Sequence, residues 1–196
     1  MSGSRTRIAF FGGTFDPVHV GHLEMARVAV EKMQLDRLYF IPAGRNPLKE
    51  DSPKASNHDR LEMIKLAIEG ESRFAIWDGE LDRDGPSYSL HTVRSFENRY
   101  PDSRMFWLIG ADQLPFLHHW FGIDELVRKI GFILVKRPGY DVSLPQIPGL
   151  YLYPVDNPLV PVSATEVRAC LKAGKSIDGM VTGGVGDYLH KHQLYS

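Results

Sequence analysis

The chain has a single cysteine, Cys170, so it can form neither an intrachain disulfide nor a cysteine-based zinc site. It has almost no net charge. Lys and Arg number 23 against 24 Asp and Glu, a balance of −1. No global field therefore draws it to nucleic acid or to an anionic surface, and any anionic ligand must be held by local groups. Long hydrophobic runs are missing too: the apolar stretches are far shorter than the roughly 20 residues that span a bilayer. The opening MSGSRTR leads straight into a strand-like segment with no signal-peptide core. Internal repeats, low-complexity tracts and a dividing linker are also absent. These absences predict a cytoplasmic protein with no nucleic-acid and no membrane partner. A homo-oligomer is compatible with the sequence.

What is present is an ordinary globular composition, 43% hydrophobic and 24% charged over 196 residues. That length supports one compact domain spanning 1–196. Short apolar runs alternate with helical patterns throughout. RIAFFGG (7–13), RLYFIPA (37–43), FAIWD (74–78), RMFWLIG (104–110), GFILVKRPG (131–139) and LYLYPV (150–155) read as strands. Helical periodicity marks 21–33, 57–70, 87–101, 163–174 and the tail from 184, with short helical segments at 111–120 and 122–130. This alternation predicts an α/β fold, a Rossmann-like doubly wound parallel sheet with helices on both faces. Ligands of such sheets bind beyond the carboxyl ends of the strands, where strand order reverses. The loops at 12–22, 42–49, 79–88, 110–120 and 136–139 are therefore expected to share one rim.

The first of these loops carries GGTFDPVHVGH (12–22). It lacks the third glycine of a dinucleotide fingerprint and the lysine of a P-loop. Gly12 and Gly13 let the backbone turn tightly and approach a ligand. Asp16-Pro17 is a turn signal ahead of a helix that starts near 19–21. His19 and His22 are three apart, so both rings can leave the same side of the first turn, beside the positive end of the helix. Glycines, a helix start and two imidazoles suit a polyphosphate. The same pair also fits two metal ligands, although no third is near, or ordinary polar residues at a helix start.

GGTFDPVHVGH resembles the G-G-[ST]-F-D-P-x-H-x-G-H signature of the HxGH nucleotidyltransferase superfamily. Members transfer a nucleotidyl group from a nucleoside triphosphate to a phosphate acceptor. The resemblance implies that His19 and His22 hold the triphosphate, with Gly12, Gly13, Thr14 and Phe15 around ATP. Later segments resemble the bacterial nicotinate mononucleotide adenylyltransferases. IPAGRNPLK (41–49) is similar to I-P-x-x-x-P-P-H-K, with Pro42 and Lys49 matching and with Asn46 and Leu48 departing from the pattern. ELDRDGPSYSLHT (80–92) is similar to E-x-x-R-x-G-x-S-Y-[ST]-x-x-T. There Ser87, Tyr88 and Ser89 are implied to bind the acceptor, and Ser87 or Ser89 is the expected helix cap. LIGADQLPFLHHW (108–120) matches I-G-x-D, so Gly110 and Asp112 join the ATP set and Trp120 is the implied ring-stacking residue. Taken alone, Trp120 reads as core, and His118 and His119 read as surface histidines. KRPG (136–139) resembles a strand-end R-P-G and adds Arg137. VSATEVR (162–168) resembles I-S-[SA]-T-x-[IV]-R and adds Ser163, Thr165 and Arg168. The pair Ser163 and Glu166 also reads as a capping box. The tail VGDYLHKHQLY resembles the same family's ending, and the part from about 160 is expected to complete the ATP site.

The implied reaction is ATP plus nicotinate mononucleotide giving deamido-NAD and diphosphate. His19, His22, Lys49 and Arg168 are the implied catalytic groups. Mg2+ travels with ATP, and no protein metal site is expected. No covalent nucleophile is apparent. The alternatives are nicotinamide mononucleotide or another phosphate acceptor, or a non-catalytic nucleotide-binding module.

Overall fold

A computed structural model describes residues 5–45, 47, 52–136 and 144–196. Six strands form one parallel sheet: β1 (Arg7–Gly13), β2 (Arg37–Pro42), β3 (Phe74–Ile76), β4 (Arg104–Gly110), β5 (Gly131–Val135) and β6 (Leu152–Val155). Their order is β3-β2-β1-β4-β5-β6, which is the doubly wound arrangement expected from the alternation. Six α-helices connect or follow them: α1 (Val20–Lys32), α2 (Asn57–Ala67), α3 (Ser89–Arg99), α4 (Ile123–Lys129), α5 (Ala164–Lys172) and α6 (Gly183–Lys191). A 3-10 helix runs over Ala111–His119, with Pro115 inside it. No helix among the described residues is long and apolar enough to cross a membrane.

The sheet buries both faces, as a parallel sheet must. Side chains alternate between two cores along each central strand. Ala9 and Phe11 of β1, with Phe106 and Leu108 of β4, pack in the core that holds α1, α2 and α6 residues. Ile8, Phe10, Trp107 and Ile109 pack in the other, with residues of α3, α4 and the 3-10 helix. Strand order reverses between β1 and β4, whose carboxyl ends are Gly13 and Gly110. The rim of the sheet at that point is where the unusual residues of the sequence collect.

Element ends differ from the sequence reading in places. α3 begins at Ser89 rather than 87, and neither serine caps it. The cap position is Tyr88, and no side chain caps there. Ser87 is committed elsewhere: its N–H donates to the Arg45 carbonyl, and its hydroxyl accepts from Gly44 N–H at 2.9 Å. The turn is thereby tied to the end of β2 instead of to the helix. β3 is shorter than predicted and sits at the sheet edge. β5 ends at Val135, after which Lys136 N–H donates to the Asn157 side chain and leaves the ladder.

Candidate active site

Two cavities open at the carboxyl edge of the sheet; the end of β1 lines one and the β1–α1 loop lines the other. Gly12 and Gly13 border one of about 100 Å³. Thr14, Phe15 and Asp16 border another of about 360 Å³. The chain thus passes from one cavity to the next within a few residues. The two glycines are extended at the end of β1, and packing explains them. A Cβ on Gly12 would lie 2.8 Å from Trp107, and one on Gly13 2.8 Å from the Phe15 ring. Any side chain there would push an aromatic ring out of its place beside a cavity.

His19, His22, Thr165 and Arg168 join Thr14, Phe15 and Asp16 around the larger cavity. His19 is the N-cap residue of α1 and only 3% exposed. Its ring stacks on that of His22, with centroids 3.7 Å apart and planes at 32°. The His19 N–H donates to His22 Nδ1 at 3.2 Å. An N–H can donate only to an unprotonated ring nitrogen, so this contact places the proton of a neutral His22 on Nε2. Phe15 packs edge-on against the His22 ring at 5.0 Å. Two neighbours thus fix the imidazole orientation before any ligand arrives.

The loop between β1 and α1 is held under tension. Phe15 has φ of 50°, the left-handed region that a bulky side chain disfavours. Tethers flank it on both sides. The fully buried Arg60 of α2 donates from Nη1 to the Thr14 carbonyl at 2.7 Å. Burial pushes its guanidinium below the usual range, opposed by the nearby Asp16 charge. On the other side, Arg168 Nη1 donates to the Asp16 carbonyl at 2.7 Å, and its Nη2 donates to Thr165 Oγ1 at 3.2 Å. One arginine therefore braces the histidine loop and faces the same cavity. Asp16 itself is 7% exposed. Its carboxylate accepts from the N–H groups of Lys54 and Ala55 at 2.8 and 3.0 Å, and from the Tyr195 hydroxyl at 2.6 Å.

Ser163 is the N-cap of α5, and the capping-box reading is correct there. Its Oγ accepts from Glu166 N–H and donates to the Glu166 carboxylate.

The smaller cavity gathers the expected acceptor residues. Ser87, Tyr88, Ser89 and Trp120 all line it, together with Glu80, Trp107, Gln113, His119 and Phe121. Trp120 stands at 84° to Trp107, with centroids 5.9 Å apart, and is half-buried. Phe121 is 51% exposed and stacks on Tyr88 at 4.5 Å. Glu80 is 4% exposed and receives a hydrogen bond from the buried Thr92 hydroxyl. Burial pushes its carboxyl above the usual range, partly offset by the Thr92 and Ser87 hydroxyls. Gly110 ends β4 and Asp112 accepts from Gln113 Nε2 at 3.2 Å, and neither residue lines either cavity.

Lys49 and Arg137, with Asn46 and Leu48, lie outside the described residues. His119, taken as a plain surface residue from sequence, borders the smaller cavity. Lys54, Glu80 and Phe121 escaped the sequence reading, and Asp16 reads there only as a turn residue. Asp16 and Glu80 carried a signal as carboxylates inside recognisable motifs, but Lys54 and Phe121 carried none. Among the described residues no cluster of three His, Cys, Asp or Glu side chains is placed to hold a metal ion.

Residues 10–170 match the family model described as cytidylyltransferase-like. The chain is 40% identical over 190 residues to a probable nicotinate-nucleotide adenylyltransferase of Opitutus terrae, covering 96% of this chain and 97% of the relative. It is 38% identical over 192 residues to the nicotinate-nucleotide adenylyltransferase of Bacillus subtilis, covering 96% and 98%. Its fold is similar to that of Plasmodium falciparum nicotinic acid mononucleotide adenylyltransferase complexed with NaAD. There the TM-score is 0.76 at 18% identity, over 97% of this chain and 98% of the other.

Proposed function

The chain belongs to the cytidylyltransferase-like family and groups there with the nicotinate-nucleotide adenylyltransferases, and we propose that its two cavities divide that reaction between them. The reaction moves AMP from ATP to nicotinate mononucleotide, giving deamido-NAD and diphosphate. The triphosphate occupies the larger cavity and the pyridine ring the smaller. One observation carries this division: residues 12–13 border one cavity and 14–16 the other. The α-phosphorus then sits where the chain crosses, within reach of an acceptor phosphate from the other side.

The acceptor 5′-phosphate is already anionic at neutral pH, so it attacks in line without a general base. Catalysis is positioning and charge stabilisation. The Nε2–H of His22 donates to the phosphates as charge moves onto the leaving diphosphate, with His19 stacked behind it. Arg168 and Thr165, from the part of the chain after about 160, hold the distal phosphates. Lys54 borders the same cavity and supplies a flexible cation there. Mg2+ enters as part of the ATP substrate. The donor set suits an ion held by phosphate and water, because the Asp16 carboxylate is engaged with Lys54, Ala55 and Tyr195. In the smaller cavity the uncapped start of α3 offers N–H groups to the ring carboxylate. Trp120 and the Tyr88–Phe121 pair form aromatic walls.

The test is diphosphate release from Mg-ATP with nicotinate mononucleotide, nicotinamide mononucleotide or no acceptor. The expected kcat/KM favours nicotinate mononucleotide, with little release in its absence. Equal kcat/KM for the two mononucleotides would remove the acceptor assignment. ATP binding without turnover under any condition would favour a nucleotide-binding module.

A further inference from the structure

Tyr195 lies 179 residues from Asp16 in sequence, yet its hydroxyl donates to Asp16 Oδ1 at 2.6 Å. We infer that Tyr195 is a positioning residue for the ATP triphosphate, acting through Asp16 and resting on the adenylyltransferase reading above.

Four observations support this. The Asp16 carboxylate is the joint between two walls of the larger cavity. It belongs to the histidine loop and accepts the N–H groups of Lys54 and Ala55 from the facing segment. The loop needs holding, because Phe15 beside it is left-handed. The peptide on its other side also carries the Asp16 carbonyl that receives Arg168. A shift of Asp16 would therefore move Arg168, Lys54 and the start of α1 together. Finally, Tyr195 supplies the one side-chain hydrogen bond to that carboxylate among the described residues; the other two come from peptide groups.

The local structure around Tyr195 is built for this contact. Gln193 and Tyr195 are both left-handed, with φ of 51° and 65°, so the chain after α6 turns sharply. Leu194 N–H donates back to the Leu189 carbonyl, and Leu194 and Tyr195 pack on the core beneath. The turn brings the phenol to the buried carboxylate. Burial and the Asp16 charge push the phenol far above its usual range, so it remains a donor at any working pH. Arg60 and Arg168 stand near enough to the phenol to act on it electrostatically and offset part of that rise.

A matched control exists in the same region. Tyr188 of α6 donates to Asp59 Oδ1 of α2 at 2.9 Å, also joining a tyrosine to an aspartate across helices. Its partner Asp59 does not border the larger cavity, whereas Asp16, the partner of Tyr195, does. Y195F and Y188F each remove one hydroxyl. Both are expected to lower the melting temperature by a similar few degrees. Only Y195F is expected to weaken binding of α,β-methylene-ATP, by about tenfold, and to raise the KM for ATP to match. Its KM for nicotinate mononucleotide should stay within twofold of wild type. A calorimetric Kd for the analogue within twofold of wild type in Y195F would overturn the proposal, even if that variant melts far below Y188F. So would an equal loss of ATP affinity in both variants, because the effect would then be general softening. If the wild-type protein released no diphosphate at all, the adenylyltransferase reading would fall. The ratio of ATP-analogue affinities would still decide the role of Tyr195.

Discussion

The His19 peptide N–H and the His22 imidazole form a closed unit. The N–H donates to Nδ1 at 3.2 Å while the His22 N–H donates back to the His19 carbonyl at 2.9 Å. A histidine three residues into the helix thus takes the place of the Glu of a capping box. The side chain that caps α1 is therefore also the one proposed to donate to the phosphates. H22A is expected to lower kcat by roughly 10²–10³-fold, the usual effect of losing one such donor. It should also lose about 1 kcal/mol of stability with the cap. Steady-state kinetics and thermal melting check the two parts. Turnover near wild type would remove His22 from the reaction.

Lys54 is tethered by its peptide N–H, not by its side chain. K54A should therefore leave the wall of the cavity in place. The expected result is a several-fold higher KM for ATP, a smaller change in kcat, and a melting temperature within about 2 °C of wild type. An unchanged KM for ATP would show that the amine does not reach the phosphates.

Trp120 borders only the smaller of the two cavities and is held edge-on by Trp107. W120A is expected to raise the KM for nicotinate mononucleotide at least tenfold, the scale of one lost aromatic–base contact. The KM for ATP should move less than twofold. Parallel rises for both substrates would instead mean that the sheet edge had rearranged.

Glu80 gives a dependence of stability on pH whose sign follows from its burial. Its carboxyl is raised in the folded protein above the ordinary 4.5. The folded state therefore holds the proton more tightly than the unfolded chain. Stability from this group is complete below about 4.5 and is lost as pH rises through the folded value. E80Q carries no such loss. The melting temperature of E80Q minus that of wild type should become more positive from below pH 4.5 to neutrality. A difference that does not change with pH would show that Glu80 ionises without penalty.

Much of this architecture was legible in the chain itself. Alternating apolar runs and helical stripes predict the parallel sheet, because each strand buried on both faces needs a continuous apolar run. GGTFDPVHVGH predicts the histidine pair, because the residues that make it are neighbours. Asp16 shows where such reading stops. It reads as part of a turn with Pro17, yet its partners lie 38, 39 and 179 residues away. Ser87 is a second case. A serine before a helix reads as a cap, but Gly44, 43 residues earlier, claims its hydroxyl.

The sequence by itself determined the elements, the order in which they alternate and the pairing of two histidines behind two glycines in the first loop. These rest on residues within a few positions of one another, where backbone geometry sets what can meet. Only the tertiary structure decided that Gly12 and Gly13 make room for Trp107 and Phe15, that Lys54 borders the histidine cavity, and that Tyr195 reaches Asp16. Those relations arise where strand order reverses and distant loops converge on one rim. There side-chain packing, and not proximity along the chain, selects the partners.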